Sequence, residues 1–180
     1  CIRDRDNNAK IDKITIIPRT KSLGHVSFLS EEKHSTKSQL LNSICIALGG
    51  RVGEEMLAGD YTPGASSDIR SATRTARNMV TKWGMSSLGM LHLNNMDEGW
   101  KTHELSDDML QNIDKEIRGI VDNQYDRAKK LLDINKESLK NLSELLLEKE
   151  TLTGEEVEKL LDGVLVDIDG YSVFFKKDGE

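Results

Sequence analysis

Apolar residues recur at spacings of three and four along most of the chain, which is the period of a helix buried on one face. The first such stretch follows Thr36 to Gln39, a capping-box pattern in which the two side chains satisfy each other's backbone N–H groups. It predicts a helix that runs to about Leu57 and ends at Gly59. Its apolar positions are Leu40, Leu41, Ile44, Ala47, Leu48, Val52 and Met56.

A second helix is predicted after a glycine-containing segment. Ser66 or Ser67 suits its N-cap, and Asp68 falls in the first turn, where the unpaired amides and the helix dipole favour a carboxylate. Gly84 supplies a left-handed stop, and residues 85–105 show little period, which predicts a loop. The apolar face comprises Ile69, Ala72, Ala76, Met79, Val80 and Trp83.

The helical period resumes at Ser106 and predicts a long amphipathic helix to about Leu131. Another helix is predicted to begin near Asn135. A further capping box at residues 153–156 introduces a short helix that extends through Leu161.

Strand patterns occur only near the two ends of the chain. The runs Lys13–Pro18 and His25–Leu29 predict a small hairpin-like sheet near the N-terminus. Residues 164–175 contain two apolar runs around an Asp-Gly pair, which is typical of a hairpin, although a mobile tail fits equally well. The predicted fold class is therefore mainly α with a small β-sheet, with one domain over residues 1–163 and a tail over 164–180.

Composition narrows the functional classes. The 180 residues carry a net charge of −6, which argues against a nucleic-acid partner because phosphate binding needs a basic surface. No run approaches the roughly 18 apolar residues that span a bilayer, so this domain is expected to be soluble. Cys1 and Cys45 make no disulfide framework, and Cys45 lies in an apolar run that predicts a buried, unreactive thiol in a reducing compartment.

The most informative chemistry lies between residues 48 and 68. A helix end, a glycine-punctuated loop and an acidic residue at the next helix start can together direct the Asp68 carboxylate at a metal. Helix capping alone also explains Asp68. Glu54 and Glu55 could support a metal site or acid–base chemistry, or could simply form a solvated helix face.

Two motifs are missing from the sequence. His25, His34, His92 and His103 share no His-x-x-x-His spacing, and no Gly-x-x-x-x-Gly-Lys-Ser/Thr occurs, so we expect no ATP site within these residues. The residues by themselves predict a helical domain with an acidic loop.

Several motifs that follow one another along the chain give more information than the single residues. They read Lys-Ile-Thr-Ile-Ile-Pro-Arg at 13–19, Ser-Leu-Gly at 22–24, Gly-Gly-Arg-Val-Gly-Glu-Glu at 49–55, Thr-Pro-Gly-Ala-Ser-Ser-Asp at 62–68 and Ala-Arg-Asn-Met-Val at 76–80, followed by Trp-Gly-Met-Ser at 83–86. With these motifs the chain resembles the peptidase domain of the FtsH family of membrane-anchored, ATP-dependent zinc metalloproteases. The resemblance extends from about Lys13 to Gly163.

The resemblance implies a helical metallopeptidase domain in which Asp68 is the third protein ligand of a catalytic zinc, supported by Glu54 or Glu55. In that family the other two ligands and the general base come from a His-Glu-x-x-His helix. This chain has no such motif, so we expect no catalytic residue within it and no peptidase activity from it alone.

Two explanations of the missing motif stay open. The first is that the chain is truncated just after the zinc-binding helix, with the missing histidine shortly before Cys1. The alternative is an inactive paralogue or fragment that serves as a hexamerisation or interaction domain.

The resemblance also implies partners outside these residues. They are an ATP-binding AAA module, a membrane anchor in a bacterial, mitochondrial or plastid membrane, and other subunits of a homo- or hetero-hexamer. Unfolded or membrane proteins are the implied substrates, bound as an added strand. Val26, Ser27 and Phe28 are the candidate strand edge, although an ordinary core strand is an equally good interpretation.

Overall fold

The fold was analysed in a computed structural model, which describes residues 10–18, 25–29, 35–93, 105–160, 165–168 and 171–174. The described chain is mainly helical with a small antiparallel sheet, as predicted. Its strands are β1 (Lys10–Thr15), β2 (His25–Leu29), β3 (Thr151–Thr153), β4 (Leu165–Ile168) and β5 (Tyr171–Phe174). Its helices are α1 (Lys37–Ala58), α2 (Ser66–Thr81), α3 (Asp107–Ile134), α4 (Lys136–Lys149) and α5 (Gly154–Leu160), and a 3₁₀ turn (Pro63–Ala65) precedes α2.

The chain divides into two compact units. The first, here called the helical unit, comprises Ser35–Lys129 and contains α1, the 3₁₀ turn, α2 and most of α3. The second, the mixed unit, combines Cys1–His34 with Lys130–Glu180 and contains the strands, α4, α5 and the last residues of α3. The division into residues 1–163 and 164–180 stays a prediction.

The core of the helical unit is built from the apolar faces that the sequence period predicts. Ala72 and Ala76 of α2 are completely or almost completely buried, and their small side chains allow α1 to pack closely. Helix α3 adds its own apolar face to the same core. The buried members of this cluster are Ile44, Leu48, Ala72, Ala76, Met79, Val80, Leu93, Ile113 and Ile117.

The predicted ends of α1 and α2 are largely confirmed. The Thr36 hydroxyl accepts from the Gln39 N–H at 3.2 Å, and the Thr36 N–H donates to Gln39 Oε1 at 2.6 Å, which completes the capping box. Gly59 ends α1 with a φ of +71°, and Gly84 follows α2 with a φ of +59°.

The predicted N-cap of α2 is wrong. Neither Ser66 nor Ser67 caps the helix, because both already lie inside it, and the N-cap position is Ala65 without a side-chain hydrogen bond. Thr62 instead caps the 3₁₀ turn, its side chain accepting from the Gly64 N–H at 3.2 Å. This turn runs directly into α2. The side chain that caps the helical segment is therefore Thr62, which precedes both serines in the sequence.

The sheet of the mixed unit has the strand order β2-β1-β3 and is antiparallel throughout. The predicted pairing of the two N-terminal strands is confirmed, although β1 spans Lys10–Thr15 rather than Lys13–Pro18. The sequence did not predict β3, whose three residues are too few to show an alternating pattern. Thr15 and Thr151 face each other across β1 and β3, with their hydroxyl oxygens 2.8 Å apart.

Helix α5 begins directly against β1. Leu152 and Val157 are fully buried and pack against apolar residues of β1 and α4. Gly154 lies between them, and a Cβ atom at this position would overlap the carbonyl oxygen of Ile11 and lie 3.0 Å from its carbonyl carbon. The contact lies beside an irregularity in β1, where the pairing with β2 shifts between Ile11 and Lys13. Only glycine fits here.

The capping box predicted for α5 is also present, and it includes a lysine. Glu156 accepts from the Thr153 N–H at 3.0 Å, and the Glu156 N–H donates to the Thr153 hydroxyl at 3.4 Å. Lys149 Nζ lies 2.8 Å from Glu156 Oε1. The hydrogen bond from Lys149, followed by the bond from the Thr153 backbone, lowers the pKa of Glu156 from 4.5 to about 2.

Strands β4 and β5 pair antiparallel, an arrangement that corresponds to the hairpin alternative for this segment. Their register runs from Leu165 opposite Phe174 to Ile168 opposite Tyr171. The predicted Asp-Gly turn at 169–170 lies outside the described residues.

Replacing Gly154 by alanine should lower the free energy of unfolding by roughly 1–3 kcal/mol or more, because the new methyl group overlaps the backbone of β1. Gly49 is the matched control. It lies within α1 with no described atom within 4 Å of an added Cβ, so Gly49→Ala should raise the stability by about 0.5–1 kcal/mol. Urea denaturation measures both, and a neutral Gly154→Ala would contradict this packing.

Glu156 should make the stability depend on pH. Its pKa is lower in the folded chain, so ionised Glu156 stabilises the fold above pH 4.5, and this contribution is lost as the pH falls towards about 2. Glu156→Gln should therefore lower the melting temperature at pH 7, and the difference from the parent chain should shrink below pH 4.5. Glu155→Gln is the control, since Glu155 is exposed on the same turn. A difference that is independent of pH would contradict the assignment.

Candidate metal-binding loop

The candidate site lies within the helical unit, where the chain passes from α1 to α2. Gly59 in the left-handed conformation ends α1. The following residues 60–62 lead into the 3₁₀ turn, and this turn continues without a break into α2, which carries Asp68. The segment that carries the candidate ligand is thus a short connection between two helices whose apolar faces share one core.

Glu54 ties this connection to α1. Its Oε1 accepts from the Thr62 hydroxyl at 2.9 Å, and its Oε2 accepts from the Thr62 N–H at 3.3 Å. The same threonine oxygen accepts from the Gly64 N–H. Glu54 is one of the two carboxylates predicted to support the site. It therefore contacts the backbone that leads to Asp68.

A second contact acts on the same connection. The guanidinium carbon of Arg51 lies 3.3 Å from the centre of the Tyr61 ring, a stacked cation–π arrangement. Arg51 precedes Glu54 by one helical turn, so both side chains extend from the last turns of α1. Arg51 and Thr62 both lie in the motifs quoted above, but the sequence predicts no individual role for them, because their roles depend on a contact across the loop.

Glu55 has a different environment from Glu54. It accepts a hydrogen bond from the Tyr125 hydroxyl, and Lys129 Nζ lies 3.5 Å from its Oε1. The hydrogen bond from Tyr125 is the largest cause that lowers the pKa of Glu55, and the same bond raises the pKa of Tyr125. Glu55 thus connects α1 to α3, an interaction between positions 70 residues apart that no local pattern indicates.

Asp68 is exposed in the first turn of α2. Within the described part of the chain its carboxylate makes no hydrogen bond or ion pair, and it does not cap the helix. This carboxylate is therefore available to a ligand.

The β2 strand of the mixed unit lies at the edge of its sheet, since it pairs with β1 and with no other strand in the described ranges. Val26 is 39% exposed. Ser27 and Phe28 belong to the same strand, opposite Lys13 and Ile11 respectively. An edge strand can accept an extended peptide through main-chain hydrogen bonds.

Comparison with known proteins agrees with these motifs. The family model of peptidase family M41 matches residues 4–160. The chain belongs to peptidase family M41. The matched residues end before β4 and β5, so the C-terminal hairpin lies beyond the part that the family model covers.

Bacterial relatives carry the same name as the family that the motifs resemble. The chain is 40% identical over 169 residues to the ATP-dependent zinc metalloprotease FtsH 3 of Symbiobacterium thermophilum, and the match covers 86% of this chain and 26% of the relative. It is 36% identical over 160 residues to the ATP-dependent zinc metalloprotease FtsH of Thermus thermophilus, with the same two coverages. The chain thus spans about a quarter of the length of these relatives.

The M41 relatives are named as zinc enzymes, so the donor set of this chain can be compared with the needs of zinc. A catalytic zinc takes three protein ligands. The described residues contain no group of three or more His, Cys, Asp or Glu side chains placed to hold a metal ion. Asp68, an available carboxylate, fits one ligand position, and His92, the one histidine with a described side chain, is exposed.

Among the described helices, none has the length and apolar character needed to cross a membrane.

Cys45 lies in α1 among its buried residues. Its side chain is 1% exposed, and burial raises the pKa of its thiol to about 11, an effect that the positive charge of Arg127 only partly offsets. The predicted burial of Cys45 is confirmed, and its low reactivity stays a prediction.

In a Cys1→Ser variant, which leaves Cys45 as the only cysteine, a thiol reagent at pH 7.5 should label the native chain far more slowly than a small peptide thiol. One thiol should react at once in denaturant. Labelling followed by mass spectrometry measures both rates, and fast labelling of the native chain would contradict the assignment.

Proposed function

We propose that this chain is the peptidase portion of an ATP-dependent zinc metalloendopeptidase and that Asp68 is a ligand of its catalytic zinc. The observation that carries the proposal is the position of Asp68 at the end of the Thr-Pro-Gly-Ala-Ser-Ser-Asp motif, exposed in the first turn of α2, in a chain of family M41. Thr62, the first residue of this motif, bonds to Glu54 of α1. The relatives' names support the activity, since they are ATP-dependent zinc metalloproteases.

In this proposal each described residue has a limited task. Asp68 contributes one anionic oxygen ligand, Glu54 supports the loop that carries it, and β2 offers its edge to an extended substrate. Zinc, when bound, would supply Lewis acidity and an acidified water for attack on a peptide carbonyl. The remaining ligands and the general base come from outside the described residues.

The proposal extends to the whole protein. We infer that it carries an AAA module that binds ATP, a membrane anchor and a hexameric assembly, and that it degrades misfolded and membrane proteins. A second candidate is a non-catalytic hexamerisation domain, which would also account for the absence of a His-Glu-x-x-His motif from the 180 residues. For the same reason, these residues by themselves should not hydrolyse peptide bonds.

Asp68→Ala separates the two candidates when it is made in the full-length protein. Proteolysis of an unfolded substrate with ATP and zinc should fall to background, and zinc affinity measured by chelator competition should fall as well. Asp122→Ala, an exposed carboxylate on α3, is the matched control and should change neither. Unchanged proteolysis and zinc affinity in Asp68→Ala would exclude the ligand role.

The 180-residue chain tests the remaining part of the proposal. Incubated with zinc and a fluorescent unfolded substrate, it should release no peptide above a no-protein blank. Zinc-dependent cleavage that a chelator abolishes would show that the chain holds a complete site, contrary to this assignment.

A further inference from the structure

Thr62 stands at the centre of the contacts that hold the candidate loop. Its hydroxyl donates to Glu54 at 2.9 Å, and the same oxygen accepts from the Gly64 N–H at 3.2 Å. Its own N–H donates to the second oxygen of Glu54 at 3.3 Å. One side chain therefore joins the last turns of α1 to the first turn of the segment that carries Asp68.

The space around Gly64 shows that this arrangement is tight. A Cβ atom at Gly64 would lie 3.1 Å from the Thr62 hydroxyl oxygen and 3.6 Å from Glu54 Oε1. Contact at 3.1 Å is closer than ordinary van der Waals packing, so any larger residue would push against the threonine. The backbone at Gly64 is thus packed directly on the Thr62–Glu54 pair.

The path from Thr62 to Asp68 is continuous. The 3₁₀ turn begins immediately after Thr62, and the Ser66 N–H donates to the Pro63 carbonyl as the turn passes into α2. Helix α2 has no side-chain cap of its own, so the Thr62 hydroxyl is the one side-chain cap on this helical segment. A helical segment moves as a unit, and its start therefore determines where its first-turn carboxylate lies.

We propose that Thr62, oriented by Glu54, is a positioning residue for Asp68. The two adjacent glutamates then have different tasks. Glu54 acts on the loop through Thr62, whereas Glu55 joins α1 to α3 through Tyr125. The importance of this positioning for zinc rests on the proposed function, whereas the positioning itself does not.

The first experiment uses the 180-residue chain and measures amide-proton exchange with water by NMR at residues 62–68. Thr62→Val keeps the branched shape but removes the hydroxyl, and should speed exchange at Gly64 by about tenfold, as expected for the loss of one hydrogen bond. Thr62→Ser should restore the slower rate. Thr73→Val is the control, because the Thr73 hydroxyl bonds to the Ile69 carbonyl within α2 and to no other group in the described residues.

The second experiment uses the full-length protein and measures zinc affinity by chelator competition together with proteolysis. Thr62→Val should weaken zinc binding by about 10- to 100-fold, the range for residues that orient a metal ligand. Thr62→Ser should restore binding, and Thr73→Val should leave it unchanged. Glu54→Gln should weaken binding, whereas Glu55→Gln should not.

The outcomes test separately whether Thr62 positions Asp68 and whether this positioning affects zinc binding. Unchanged exchange at residues 62–68 in Thr62→Val would overturn the positioning role whatever happens to zinc. Faster exchange with unchanged zinc affinity, in a protein where Asp68→Ala abolishes zinc binding, would overturn the link from Thr62 to the metal. If Asp68→Ala leaves zinc binding intact, the proposed function fails, and the exchange data still decide whether Thr62 positions Asp68.

Discussion

The close packing of α1 against α2 is the constraint on which the candidate site depends. Ala72 and Ala76 carry only methyl side chains, and the larger Leu48 and Ile44 of α1 share their buried cluster. Because interiors pack at crystal-like density, this arrangement leaves little freedom for the two helices to shift. The connection between them is short, and Gly59 begins it by ending α1 with a positive φ.

The apolar core of the helical unit holds its helices together, and polar contacts then determine which neighbour each surface carboxylate reaches. Glu54 and Glu55 are adjacent in sequence, but successive residues of an α-helix point about 100° apart, so they reach different neighbours. Glu54 meets Thr62 in the loop, and Glu55 meets Tyr125 on α3. One carboxylate holds the segment that carries Asp68, and the other joins two helices of the core. Partly exposed hydrogen bonds of this kind stabilise a fold modestly but define geometry well.

In the mixed unit, the close approach of Gly154 to the backbone of β1 is the comparable packing constraint. Gly154 lets α5 start in contact with the backbone of β1, and Leu152 and Val157 on either side are fully buried. The capping box of Thr153 and Glu156 then directs the first turn of α5, with Lys149 adding a charge-assisted hydrogen bond. Sheet and helix are thereby joined through backbone contact as well as side-chain packing.

The sequence by itself determined the elements whose signals are local. The period of three and four predicted α1, α2 and α3, the pair Thr36 and Gln39 predicted a cap, and the ordered motifs indicated the family. Tertiary structure decided what depends on contacts between distant positions. Strand β3 is too short to show a pattern and exists because β1 pairs with it, and the cap of the segment before α2 is Thr62 because Pro63 starts a 3₁₀ turn. The different tasks of Glu54 and Glu55 likewise follow from neighbours that only the fold brings within hydrogen-bonding distance.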